Sequence, residues 1–142
     1  MNAGSVHTLI MSGVNPSYTL SNAEGFNSGL GKVSLTVSTA LSMDETSTNV
    51  EYVCPDRHYL ESWGDAQAFH GQVSFTQPTI QPLFDSRQFQ DSVLLWSGAD
   101  SDYYAFAKKY WRGKTSWSKS IHDGVASIST EPLRLTSFSA NV

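Results

Sequence analysis

Val6 to Met11, VHTLIM, is a short and mostly apolar run closed by Ser12-Gly13. Continuous apolar character of this length suits a strand covered on both faces, so the pattern predicts a core strand of a parallel sheet. A chain that opens directly in a core strand is expected to be a piece of a longer protein. Gly13-Val14-Asn15-Pro16 supplies a turn, and Ser21 or Asn22 can cap a helix that places Phe26 and Leu30 on one face, with Gly29 and Gly31 near its exit. Strand, turn and helix make the first half of a βαβ unit. Val33, Leu35, Val37 and Leu41 predict the second strand, with Ser34, Thr36 and Ser38 on its other face.

Ser42-Met43-Asp44-Glu45 fits a capping box, in which the serine hydroxyl and the glutamate carboxylate each satisfy a free amide, and predicts a helix of about two turns. Glu51-Tyr52-Val53-Cys54 predicts a third strand, ended by Pro55, which has no ladder donor. A loop crowded with Asp56, Arg57, His58, Tyr59, Glu61, Trp63 and Asp65 follows. Val73, Phe75 and Thr76 precede an extended segment, Gln77 to Pro82, which two prolines keep out of any helix. Asp85, with Gln88 after it, predicts the start of a helix that shows Phe89, Val93 and Trp96 and stops at Gly98. A second helix starts at Ser101 or Asp102, shows Tyr103, Phe106, Tyr110 and Trp111 as a core stripe, and ends at Gly113. Ser116 to His122 predicts a short helix closed by Gly124. Residues 125–142, with alternation at Leu133, Leu135 and Phe138, read as an edge strand or tail. The sum is a single α/β domain over residues 1–142: a Rossmann-like, short and mostly parallel sheet flanked by helices, with a largely helical C-terminal part.

Composition narrows the chemistry. A chain of 142 residues has the size of one domain and removes roughly 68–70% of its unfolded surface from water. Its 39% hydrophobic and 12% aromatic content excludes a disordered chain, and 15% charged residues with 22 serines make a largely neutral polar surface. A net charge of −4 argues against a nucleic-acid partner, which needs a clustered basic face. The basic cluster Lys108, Lys109, Arg112 and Lys114 instead suits the negative end of a helix dipole. One cysteine, Cys54, makes no internal disulfide and by itself holds no zinc or iron–sulfur cluster. No apolar run approaches the ~18 residues of a membrane span, and the first residues lack the regions of a signal peptide. Neither direct membrane insertion nor a targeting signal is expected.

The loop after Pro55 is the best place for a site, because open α/β sheets bind ligands beyond the carboxyl ends of their strands. Asp56, His58, Glu61, Asp65 and His70 match no standard metal spacing, and a set of solvated hydrogen bonds is the simpler reading. His7, and His122 beside Asp123, are expected to satisfy local structure. G-x-S-x-G is absent, and Gly25, Gly29 and Gly31 lie inside or after a helix, the wrong context for a dinucleotide fingerprint. The amides of Gly13-Val14-Asn15-Pro16 could face an anion, although each of these residues also favours turns for backbone reasons.

SGVNPSYTL at Ser12 to Leu20, DETSTNVEYVCPDRHYLESWGD at Asp44 to Asp65 and QPTIQPLFDSRQ at Gln77 to Gln88 together resemble the molybdopterin oxidoreductase superfamily. That family pairs a small-residue turn ending in Asn-Pro with an acidic, Thr-bearing helix start, a strand ending in Val-Leu-Pro, then a Glu and a Gly. Here these are Asn15-Pro16, Glu45-Thr46, Val53-Cys54-Pro55, Glu61 and Gly64. The run from Asp56 to Asp65 is most similar to one branch, the large iron–sulfur subunit of alternative complex III, a bacterial quinol-oxidising complex. The similarity runs from residue 6 to residue 124. In catalytic relatives the Asn-Pro turn and the loop before the Glu lie near a pterin dinucleotide. The resemblance therefore implies that Gly13, Asn15, Pro16, Thr46, Glu61 and Gly64 form a cofactor-binding surface. It implies no catalytic or metal-ligating residue in this chain, because the family's cluster cysteines and metal-ligating segment are missing from it.

For the parent protein the resemblance implies iron–sulfur clusters, with molybdopterin guanine dinucleotide in the catalytic relatives. It also implies a periplasmic location, membrane association through partners, and packing against the other domains of the subunit and other subunits of the complex. The expected role is that of a scaffold and partner surface in electron transfer, not catalytic in isolation. The alternatives are a pterin-dinucleotide-binding domain of a true molybdenum oxidoreductase and a stand-alone, non-enzymatic binding domain.

Overall fold

The computed structural model describes residues 1–131 and has a mixed α/β architecture with two separate sheets. The first sheet is parallel. Strand β1 (Thr8–Met11) leads through the short helix α1 (Pro16–Thr19) and helix α2 (Ala23–Leu30) to β2 (Leu35–Ser38), and β3 (Tyr52–Val53) completes the order β1-β2-β3. Thr8 pairs with Leu35 and Met11 with Ser38, while Val37 and Ser38 pair with Tyr52 and Val53. Gly13 turns the chain out of β1 with φ +64°, a left-handed conformation that side-chain-bearing residues resist. Asn22 caps α2 by accepting from the Gly25 amide at 2.9 Å, and Leu30 sinks to 2% exposure.

The central strand is buried through its hydroxyls as well as its apolar side chains. Thr36, Val37, Ser38 and Thr39 are all buried, whereas Leu35 and Leu41, expected inside, are exposed. The reason is that the hydroxyls find partners: Thr36 Oγ1 accepts from the Glu51 amide at 2.8 Å, and Ser38 and Ser47 share a bond of 2.9 Å. The expected burial of the first strand is corrected in the same way. β1 is an edge strand, with Ile10 44% exposed and Met11 buried. The helix expected at Ser42 is absent as well. Asp44 Oδ1, not Ser42, accepts from the Ser47 amide at 2.7 Å, and only a 3-10 turn forms, over Ser47–Asn49.

The second sheet is antiparallel and was not expected. β4 (Gly64–Phe69) and β5 (Gln72–Thr76) form a hairpin whose reversal uses Gly71 at φ +78°, and β6 (Val125–Ser127) pairs with β5 from the far end of the described chain. Of the terminal segment, residues 125–127 are therefore an edge strand, while the alternation at Leu133, Leu135 and Phe138 lies outside the described residues. Helices α3 (Phe89–Trp96), α4 (Tyr103–Trp111) and α5 (Trp117–Asp123) stand between β5 and β6. α3 begins later than expected: Gln88 takes the cap position in place of Asp85. α4 starts as expected, with Asp102 accepting from the Ala105 amide at 2.7 Å, and Gly124 closes α5 in the left-handed conformation at φ +72°.

Val73 and Phe75 alternate inward on β5 and meet Ala107 and Trp111 of α4, with Tyr103, Trp117 and Ile121 around them. Phe75 lies edge-on to both Trp111 and Trp117, each at 5.7 Å. The Trp111 indole donates to Asp65 Oδ2 at 3.0 Å, so its polar end is satisfied where the ring is buried. The core face of α4 is thus Tyr103, Ala107 and Trp111. Phe106 and Tyr110, expected in the same stripe, stack on each other and remain exposed.

Candidate functional site

The six residues that the sequence puts forward are distributed over three places. Gly13 and Asn15 line a cleft of about 330 Å³ at the carboxyl ends of β1 and β2, which Asp44, Asp56 and Arg57 also reach. Behind it, Asn15 and Thr46 form a latch. Asn15 Oδ1 accepts from the Thr46 hydroxyl at 2.7 Å and from its amide at 3.3 Å, while Asn15 Nδ2 donates to Glu45 Oε2 at 2.7 Å. Thr46 is wholly buried, and its hydroxyl in turn accepts from the Ser17 amide at 3.0 Å. The amides of Tyr18 and Thr19 go to the Asn15 carbonyl, and Pro16 has none to give. The amides of α1 that follow the turn are therefore spent on the chain itself.

Glu61 is 7% exposed. It closes a capping box with His58: Glu61 Oε2 accepts from the His58 amide at 3.2 Å, and its other oxygen accepts from the Leu83 amide at 3.1 Å. Both carboxylate oxygens thus hold loops together. Gly64 begins β4 opposite Thr76 and lines a different cleft, of about 250 Å³, with Trp63 and Gln90.

The loop after Pro55 is the seam between the two sheets. Asp56 Oδ1 accepts from the Arg57 amide at 2.7 Å and from the Phe89 amide at 2.8 Å, holding the start of α3. Gln88 accepts from the Trp63 amide at 3.1 Å, and the Arg87 amide donates to the Pro55 carbonyl at 3.1 Å. The remaining polar residues weighed as metal ligands are also used locally. Asp65 accepts from Trp111, and His70 Nε2 lies 2.7 Å from the Thr130 hydroxyl. Among the described residues no group of three His, Cys, Asp or Glu side chains could hold a metal ion. His122 pairs with Asp123 at 2.8 Å on the surface, and Lys114 caps the face of Tyr110 at 3.4 Å instead of forming a basic patch.

Among the described residues three carboxyl groups are shifted. Hydrogen bonds from the Ser47 side chain and amide hold Asp44 below its ordinary range. The Asn15 amide does the same for Glu45. Asp91 moves the other way: burial pushes it up, Asp102 adds to the push, and Arg57 and Arg87 pull it back. Asp91 Oδ1 also accepts from the Tyr103 amide, tying α3 to the start of α4.

Arg87 and Gln88 were not put forward as site residues, yet both stand where the two sheets meet. The signal available for Arg87 was weak: an arginine two residues after an aspartate, in a loop that lies beside Asp56-Arg57 only once the chain has folded. No protein-family model matches the chain, and no curated protein matches it. No described helix is long and apolar enough to cross a membrane.

Proposed function

We propose that this chain is a Rossmann-like domain of a molybdopterin-oxidoreductase-like subunit in a respiratory or photosynthetic electron-transfer complex, where it acts as scaffold and partner surface without a redox centre of its own. The reading rests on the resemblance of Asn15-Pro16, Asp44 to Asp65 and Gln77 to Gln88 to that family. The structural observation that carries it is the apolar surface left open. Leu83 and Phe84 are 72% and 82% exposed, and Val93, Leu95, Trp96, Phe106 and Tyr110 stand open on α3 and α4. Open apolar side chains on two consecutive helices and the loop before them are what another protein surface would cover. The polar groups of Asn15, Thr46 and Glu61 point the same way, since each is committed to internal hydrogen bonds and stiffens the scaffold.

In this reading the parent protein is periplasmic, carries iron–sulfur clusters on other domains, and meets the membrane through its partners. The test is metal analysis and purification of the parent protein from its own cells. Expected are iron without molybdenum, and co-purifying subunits that a Leu83→Asp/Phe84→Asp variant sheds while its iron content is kept. A second reading, a pterin-dinucleotide-binding domain of a true molybdenum enzyme, draws on the cleft at Gly13 and Asn15. Stoichiometric molybdenum would favour it and refute the first, and a metal-free monomer would refute both.

A further inference from the structure

Arg57 and Arg87 face one cleft, of about 350 Å³, at the carboxyl end of β3. Its walls are Cys54, Arg57, Asp85, Arg87, Ser92 and Trp96. Neither arginine is within ion-pair distance of a carboxylate, for the sole ion pair among the described residues is His122 with Asp123. Arg57 is held in place: its Nε donates to the Ser86 carbonyl at 3.2 Å, which fixes one edge of the guanidinium. Arg87 is pinned through its backbone, whose amide donates to the Pro55 carbonyl. Ser92 adds a hydroxyl to the cleft wall. It is only 3% exposed, its amide is bonded to the Gln88 carbonyl, and its hydroxyl has no partner among the described residues and lines the cleft.

A hydroxyl open to the cleft beside two guanidinium groups suits an acceptor with several oxygens. Guanidinium forks suit phosphate and carboxylate alike. A phosphate monoester carries three acceptor oxygens and about −1.5 to −2 charge near neutral pH. It can therefore answer both forks and the hydroxyl together, against the carboxylate of Asp85 on the rim and those of Asp91, Asp100 and Asp102, which line an adjoining cleft with the same two arginines. A carboxylate has only two oxygens and one charge. Trp96, 45% exposed, gives the cleft an apolar wall. We propose that this cleft binds a phosphate-monoester ligand, its phosphate held by Arg57, Arg87 and Ser92 and its organic part laid against Trp96.

The test is calorimetric titration of the full chain with inorganic phosphate, phenyl phosphate and acetate. Saturable phosphate binding is expected, tighter for phenyl phosphate and weaker for acetate. Arg87→Gln should weaken phosphate binding about tenfold, as expected for loss of one charge-assisted pair, whereas Arg112→Gln, at the C-terminal cap of α4 and outside the cleft, should leave it unchanged. Ser92→Ala, which keeps both arginines, should weaken it by a smaller factor and serves if Arg87→Gln disturbs the far-ultraviolet circular dichroism. Trp96→Ala should erase the preference for phenyl phosphate while phosphate still binds. Absence of saturable phosphate binding, or equal weakening by Arg87→Gln and Arg112→Gln, would overturn the proposal.

Discussion

Thr46→Val removes one oxygen from the latch that joins the first turn to the loop after β2, and nearly preserves shape. Two hydrogen bonds disappear: the one from Thr46 Oγ1 to Asn15 Oδ1 at 2.7 Å and the one from the Ser17 amide to Thr46 Oγ1 at 3.0 Å. Each neutral hydrogen bond contributes roughly 0.5–1.5 kcal/mol net, so the pair comes to about 2 kcal/mol. The Thr46 amide still reaches Asn15 Oδ1, which keeps the loss from growing further. For a chain of this length that corresponds to a fall in Tm of about 6 °C. The assay is urea unfolding followed by far-ultraviolet ellipticity, with an unchanged m value as the sign that only stability has moved. Thr46→Ser is the control: it keeps the oxygen, loses one methyl group and should cost about 0.8 kcal/mol. If Thr46→Val stays within about 0.5 kcal/mol of the parent chain, or if serine costs as much as valine, the hydroxyl is not what holds the turn.

Glu61→Gln replaces an acceptor by a donor that faces the amide of His58 or Leu83; a loss of about 1–3 kcal/mol is expected in the same urea titration. Trp111→Phe deletes the bond to Asp65 and part of the ring packed on Phe75, for about 2 kcal/mol, read from the midpoint of thermal unfolding. Asp44 has its folded-state pKa held below the ordinary 3.8, so its contribution is present above that value and is lost as pH falls through the lower folded value. Acid titration of Asp44→Asn against the parent chain should therefore show a shallower loss of stability in the variant below the ordinary value, and parallel curves would refute the assignment.

Local hydrogen-bond chemistry was legible at some helix ends and not at others. Gly124 marks a helix end in the sequence and in the structure, and of the alternatives Ser21 or Asn22 and Ser101 or Asp102 the structure uses Asn22 and Asp102. The three parallel strands were legible from apolar runs broken by Gly13 and Pro55. The faces of β2 were not, because hydrophobicity places Leu35 and Leu41 inside, while Thr36 and Ser38 can be buried once Glu51 and Ser47 bond them, and those partners are fixed only by the fold. β5 carries the alternation of a half-buried strand in Gln72-Val73-Ser74-Phe75-Thr76. Its partner β4, Gly-Asp-Ala-Gln-Ala-Phe, has few residues that favour strands, so the hairpin was missed as a pair. At Ser42 a capping-box pattern lost to Asp44, whose carboxylate reaches the Ser47 amide. Of the site, the sequence picked out Asn15 and Thr46 through resemblance, and the structure brings them together as a bonded pair. The cleft of Arg57 and Arg87 could not be seen, because it is assembled from two loops far apart in the chain.

The two sheets have separate apolar centres, Met11, Leu30 and Val37 in one and Val73, Phe75 and Trp111 in the other, and the seam at Asp56, Glu61 and Gln88 joins them through hydrogen bonds. Ties of that kind bury little apolar surface, so each half is expected to open as its own cooperative unit. Deuterium uptake at Val37 and at Phe75 is then expected to follow two independent clocks, and a ligand or subunit that bridges the seam would be read out as their synchronisation.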